Sequence, residues 1–172
     1  GVQTCALPIY IRAFLATTVL VEDGLLLGGF ALLLVGLGFK VAAVPFHVWT
    51  PDVYVGAPTP VTAFLAVASK AAGFVGLLTM LYIGLYAADG VYEPFIFVLA
   101  ALTMTVGNCT AIFQNNMKRL LAYSSVAQAG YMLIGFVTGG LLGREGVLVY
   151  SLVYVFMNIG AFAVVVLIGN EE

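Results

Sequence analysis

The stretch GFKVAAVPFHVWTPDVYVGAPTP, residues 38–60, places a lysine, a proline and the chain's one histidine within eight residues of an otherwise apolar run. Its setting is extreme. The chain has 172 residues, of which 63% are hydrophobic and only 8% charged, and its mean hydropathy is +1.13. Soluble domains carry about 25% charged residues. Apolar runs of spanning length recur along the chain, and a bilayer-crossing helix needs about 20 residues. Residues 38–60 therefore belong to a membrane-spanning segment and the turn that follows it. The expected fold class is all-α, a polytopic transmembrane helix bundle.

Composition also excludes several kinds of function. A net charge of −2 without a basic cluster offers no surface to nucleic acid. Cys5 and Cys109 are too few for a disulfide framework or a metal site. No metal or cofactor is expected to be held by this chain. Neither a G-x-G-x-x-G nor a Walker pattern is present.

Both ends suggest an internal fragment. Residues 1–9, GVQTCALPI, resemble the translation of a common sequencing-adapter oligonucleotide and are set aside from fold reasoning, with a native loop as the alternative. Residues 10–23 mix Arg12, Thr17, Thr18, Glu22 and Asp23 with apolar positions and read as an interfacial helix or connector. Residues 24–172 form the transmembrane part, with about five spans. The spans are expected at 25–49, 61–86, 94–113, 120–138 and 147–168. Between them lie a Pro-rich turn at 50–60, a polar loop at 88–93, a loop at 114–119 and a glycine-rich loop through 146. Lys118 and Arg119 place the 114–119 loop in the cytoplasm by the positive-inside rule. The 50–60 turn then shares that side, and Asp89, Glu93 and Arg144 lie on the other.

The charged positions inside the spans carry the chemistry. A charge at bilayer depth costs at least about 2.5–3.5 kcal/mol on insertion scales. Lys40 and Lys70 both lie too deep to snorkel comfortably. Such residues mark hydrated interiors and ion or proton pathways, and desolvation brings lysine titration towards working pH. The alternative is that they only hydrogen-bond neighbouring helices. Pro45 removes a backbone donor and breaks the first span, and broken helices beside ion sites recur in transporters. The break is expected between Val41 and Phe46, with both lysines directed into the bundle. His47 is a candidate proton relay near neutral pH, or else an interfacial residue beside Trp49. In the fourth span Ser124, Gln128 and Tyr131 or Met132 fall near one helical face. They either line a water wire or join helices.

These residues also carry a resemblance. GLGFKVAAVPFHVWTPDVYVGAPTPVTAFLAVASKAAGF (36–74) and NNMKRLLAYSSVAQAGYM (115–132) resemble, in the same order, motifs of the subunit N family of bacterial NADH–quinone oxidoreductase, respiratory complex I. The first motif is specific, whereas KRLLAYSS is shared across antiporter-like proteins. The resemblance implies a proton-translocating membrane subunit with fourteen helices and two inverted five-helix repeats. Its partners would be the other membrane subunits of the complex, in the bacterial inner membrane. Quinone, FMN and iron–sulfur clusters would belong to other subunits. By the same resemblance Lys40 matches the lysine of the family's broken helix and Lys70 its central lysine. His47 matches a histidine just after the break. Gln128 stands where related sequences often have histidine, so any role there would be ordering water. The glutamate that pairs with the broken-helix lysine would lie upstream of this chain, and a second broken helix beyond Glu172. The alternatives are a subunit of a multi-protein cation/proton antiporter or of a membrane-bound hydrogenase. From a different class comes a non-transporting membrane scaffold. The extended TPDVYVGAPTPV favours subunit N.

Overall fold

A computed structural model describes residues 2–17, 24–85 and 89–169. Among them are seven helices and no strand: α1 (Val2–Thr17), α2 (Gly24–Val41), α3 (Trp49–Gly56), α4 (Thr59–Gly84), α5 (Asp89–Ile112), α6 (Met117–Val137) and α7 (Gly140–Gly169). Four stretches are long and apolar enough to cross a membrane: α4, Tyr92–Ile112 within α5, α6 and α7. A shorter apolar run, Gly28–Val41, lies in α2. The chain is thus a polytopic helical bundle, with α5, α6 and α7 joined by connections too short for anything but antiparallel neighbours.

Three boundaries differ from the sequence reading. The first span stops at Val41 rather than near Trp49, and the segment placed in a turn contains α3. Pro51 sits in the first turn of α3, where backbone N–H groups have no intrahelical acceptor, so it does not oppose the helix. The glycine-rich segment before residue 146 is already helical from Gly140. Gly139 and Gly140, with φ of 62° and 64°, confine the turn to two residues. At the other junction α5 begins at Asp89, so residues 89–93 are helical. In the 1–23 region, α1 runs through residues 2–17, and Leu15 is buried in the core. Residues 18–23 of the expected connector lie outside the described residues, as do residues 1, 86–88 and 170–172.

Helix contacts rest on small residues, as they must where lipid removes the usual hydrophobic drive to associate. A Cβ on Gly107 of α5 would lie 2.6 Å from the backbone nitrogen of Ala127 on α6. One on Gly130 of α6 would lie 2.8 Å from the nitrogen of Met104. The crossing of α6 with α7 is equally close at Gly135 and Gly143. Around these crossings Val41, Phe74, Leu77, Leu81, Ile96 and Phe136 build the main core. A second cluster joins Tyr54 of α3, Ala66 of α4, Ala122 of α6 and Phe162 of α7.

The two ends of α6 are polar in different ways. At its start, Asn116 caps the helix by accepting from the Arg119 N–H at 3.2 Å. Arg119 pairs with Asp52 of α3 at 2.7 Å, and Lys118 donates to the Ala57 carbonyl at 3.2 Å. The Pro-rich segment and the first turn of α6, with Lys118 and Arg119, therefore share one end of the bundle. At the far end of α6, Arg144 lies over the Tyr82 ring, 4.2 Å from its centroid, in a cleft that Glu93 and Thr138 also line.

Candidate functional site

The break after α2 replaces helical hydrogen bonds by a set of substitutes. Ala42 adopts φ of 62°, the left-handed conformation that ends a helix. Its N–H donates to Phe39 O at 3.2 Å, and the Ala43 N–H donates to Gly38 O at 2.8 Å. This is the Schellman pattern, here with alanine where glycine is usual. The next donor, Val44 N–H, leaves the segment and reaches Thr103 Oγ1 of α5 at 3.0 Å. Pro45 has no donor to place, and the Val44–Pro45 peptide is cis. Phe46 N–H returns to Ala43 O at 2.7 Å, and Trp49 Nε1 donates to Phe39 O at 3.2 Å. Irregular backbone at membrane depth survives only with partners of this kind.

Ala42 is fully buried beside Val126, so its strain is held by packing. A left-handed alanine costs about 1–2 kcal/mol. Ala42→Gly is therefore expected to leave the thermal stability of a full-length homologue within about 1 kcal/mol of the parent, with lost packing offsetting relieved strain. Ala42→Val is expected to lower it by about 2 kcal/mol or more, because a β-branched side chain fits neither the backbone nor the space. Thermal unfolding in detergent reads both, and a valine variant as stable as the parent would refute this account of the break.

Lys70 lies on α4 immediately after a wider, π-helical turn at Leu65–Ser69. Such insertions frequently accompany functional sites. From Lys70 onward α-helical spacing places Lys70, Gly73, Phe74 and Leu77 on the buried face. Lys70 is only 2% exposed. Its ammonium donates to the Ser125 carbonyl at 2.6 Å and to Ser125 Oγ at 2.9 Å, and Ser125 Oγ donates to Ala122 O at 2.7 Å. An ammonium has three donors, so these two acceptors leave one N–H direction for exchange. No carboxylate among the described residues forms an ion pair with it; the ion pair they do form is Arg119–Asp52. A buried ammonium without a counter-ion is costly, which makes the amine responsive to charge arriving nearby. Around it lie Tyr54 and Tyr154, whose hydroxyls face Ser125. Asn158 donates to Tyr154 O at 3.1 Å.

The other sequence candidates are distributed as follows. Lys40 is exposed on the surface of the described residues, not enclosed as Lys70 is. The reason is its place at the end of α2: Gly38 and Val41 occupy the buried side, and Lys40 falls on the flank. Its Cγ nevertheless lies 3.2 Å from where a Cβ on Gly73 would sit, one turn beyond Lys70, so the two lysines stand on helices in direct contact. His47 is half-buried, with its ring 6.4 Å from that of Tyr123. Ser124 is half-buried, and the serine beside Lys70 is its neighbour Ser125. Gln128 accepts from the Tyr150 hydroxyl and links α6 to α7. Ser125, Tyr54, Tyr154 and Asn158 escaped the sequence reading. The buried run Ala122, Ser125, Ala129, Met132 and Phe136 was the available signal, since its three- and four-residue spacing assigns Ser125 to the inner face.

A sequence profile described as NADH:quinone oxidoreductase/Mrp antiporter, transmembrane, matches residues 6–172. The chain belongs to this family. Among its relatives, NADH-quinone oxidoreductase subunit N of Trichlorobacter lovleyi is 55% identical over 150 residues, 87% of this chain and 31% of the relative. The chloroplastic NAD(P)H-quinone oxidoreductase subunit 2 of Chaetosphaeridium globosum is 52% identical over 137 residues, 80% of this chain and 27% of the relative. Respiratory complex I from Thermus thermophilus with bound aureothin contains a chain of the same fold. Its TM-score is 0.70 at 42% identity, covering 93% of this chain and 36% of that one. The chain spans about a third of the length of its curated relatives.

Proposed function

We propose that this chain is a section of a proton-translocating membrane subunit of an NADH–quinone oxidoreductase in the bacterial plasma membrane. Protons move through buried lysine and hydrated side chains, coupled to quinone reduction elsewhere in the complex. The observation that carries this reading is Lys70, enclosed between α4 and α6 with no carboxylate partner among the described residues and one donor direction open. Lys40, on the adjoining broken helix, is the exchange partner nearest along the bundle, and His47 a further relay beyond the break. Gln128 orders hydrogen bonds without titrating, and Ser124 lies beside the path. The redox groups, FMN, iron–sulfur clusters and quinone, belong to other subunits, and the other membrane subunits are the protein partners.

The family description also names Mrp antiporters, so cation/proton exchange is the second reading. A chimaera separates them. Residues 24–169 replace the matching section of a full-length subunit N in a strain lacking that subunit. NADH-driven proton pumping by the assembled complex is the expected result. Assembly without pumping, accompanied by sodium-dependent proton exchange, would favour the antiporter.

A further inference from the structure

Three buried hydroxyls stand outside the hydrogen-bond scheme: Thr50 Oγ1 and the phenol oxygens of Tyr54 and Tyr154. The three residues are 0%, 1% and 3% exposed. Buried hydroxyls without partners are rare and call for an explanation. Their placement supplies one. Thr50 and Tyr54 lie four residues apart on one face of α3, and Tyr154 approaches from α7. Both phenol groups face Ser125, the residue that accepts twice from Lys70. Two helices, α3 and α7, thus bring phenol hydroxyls to the α6 side chain that touches the buried amine.

We infer that Ser125, Tyr54 and Tyr154 form a hydroxyl relay that carries protons between Lys70 and the α3 end of the bundle. The inference deepens the proposed function and rests on it. In the outward step Ser125 Oγ–H turns from the Ala122 carbonyl towards a phenol oxygen. Lys70 Nζ gives a proton to Ser125 Oγ, while Ser125 passes its own proton to the tyrosine. The tyrosine releases its phenolic proton to water at the α3 end, directly or through Thr50 Oγ1, which passes its own hydroxyl proton on to that water. Every hydroxyl gains one proton and loses one, and Lys70 is left as a neutral amine. Reprotonation runs the same sequence backwards. The relay leads to the end where Asp52, with a side chain 73% exposed, marks access to solvent. Tyr54 also packs edge-on against Phe162, at 6.3 Å between ring centroids, which holds its ring in place.

The test uses the complete complex with a full-length subunit N that carries these residues. Tyr54→Phe, Tyr154→Phe and the double variant remove only the phenol hydroxyls and keep the ring packing. Lys70→Met is run beside them. If the tyrosines serve packing alone, turnover per assembled complex stays at the parent level. The relay predicts a fall of about fivefold or more in the double variant, against the ~100-fold that a positioned acid–base group contributes. It also predicts an enlarged solvent deuterium isotope effect. Parent turnover and isotope effect in the double variant, with Lys70→Met inactive, would overturn the relay and leave the function intact. A loss explained wholly by less assembled complex would overturn it too. Normal pumping by Lys70→Met would remove the functional reading itself.

Discussion

Lys70→Met, in a full-length subunit assembled into its complex, is expected to lower NADH-driven proton pumping by at least about tenfold. Methionine nearly matches the lysine stem in volume and needs no hydrogen-bond partner. Removing a buried amine that has no counter-ion among the described residues should therefore not harm folding, and replacing buried charge by apolar groups is often neutral or stabilising. A loss of pumping would then report the proton and not the packing. Lys70→Arg completes the comparison. Arginine keeps the charge but does not release its proton at any working pH, and its planar fork does not fit a site built around Ser125 O and Oγ at 2.6 and 2.9 Å. Poor rescue by arginine is expected. Proton uptake in vesicles, normalised to assembled complex, decides the matter. Wild-type pumping in Lys70→Met would favour a scaffold, and wild-type pumping in Lys70→Arg would favour a fixed charge.

The second large effect is structural. Gly107→Leu should separate α5 from α6, because a Cβ there would meet the Ala127 nitrogen at 2.6 Å and its Cα at 2.9 Å. The obstacle is backbone, which cannot rotate away. Overpacking of side chains costs about 1–3 kcal/mol, and a collision with a helix backbone should exceed that range. The consequence reaches the site through both helices: α6 carries Ser125, and α5 carries Thr103, which holds the Val44 N–H of the break. Loss of the folded subunit and of the assembled complex is expected. Gly160→Ala is the control, since a Cβ there meets nothing within 4 Å and alanine favours a helix interior by roughly 0.5–1 kcal/mol. Thermal unfolding of the full-length subunit in detergent compares the two. Equal stability of Gly107→Leu and the parent would disprove the close crossing.

The sequence by itself determined the class of protein. Its apolar fraction and spanning-length runs point to a helical membrane bundle, because a helix satisfies its backbone groups within its own segment in lipid. It also located the break, since Pro45 cannot continue a helix, and it singled out Lys70, since charge at bilayer depth is rare. What each side chain faces was decided only by the tertiary structure. Lys40 and Lys70 look equivalent as charges within apolar runs, yet α2 ends one residue after Lys40 and leaves it exposed, while α4 continues past Lys70 and encloses it. Ser124 and Ser125 are adjacent in sequence and 100° apart around a helix, so one faces the amine and the other does not. The α3 helix formed where prolines suggested only a turn, because Pro51 falls in the first turn and Thr62 Oγ1 bonds the Tyr54 carbonyl at 3.1 Å. Tyr54 and Tyr154, a hundred residues apart, meet at Ser125 through the packing of α3, α6 and α7. Periodicity can assign a residue to the inside of its own helix. Which inner faces meet depends on where glycine lets two backbones approach, and that is a property of the assembled bundle.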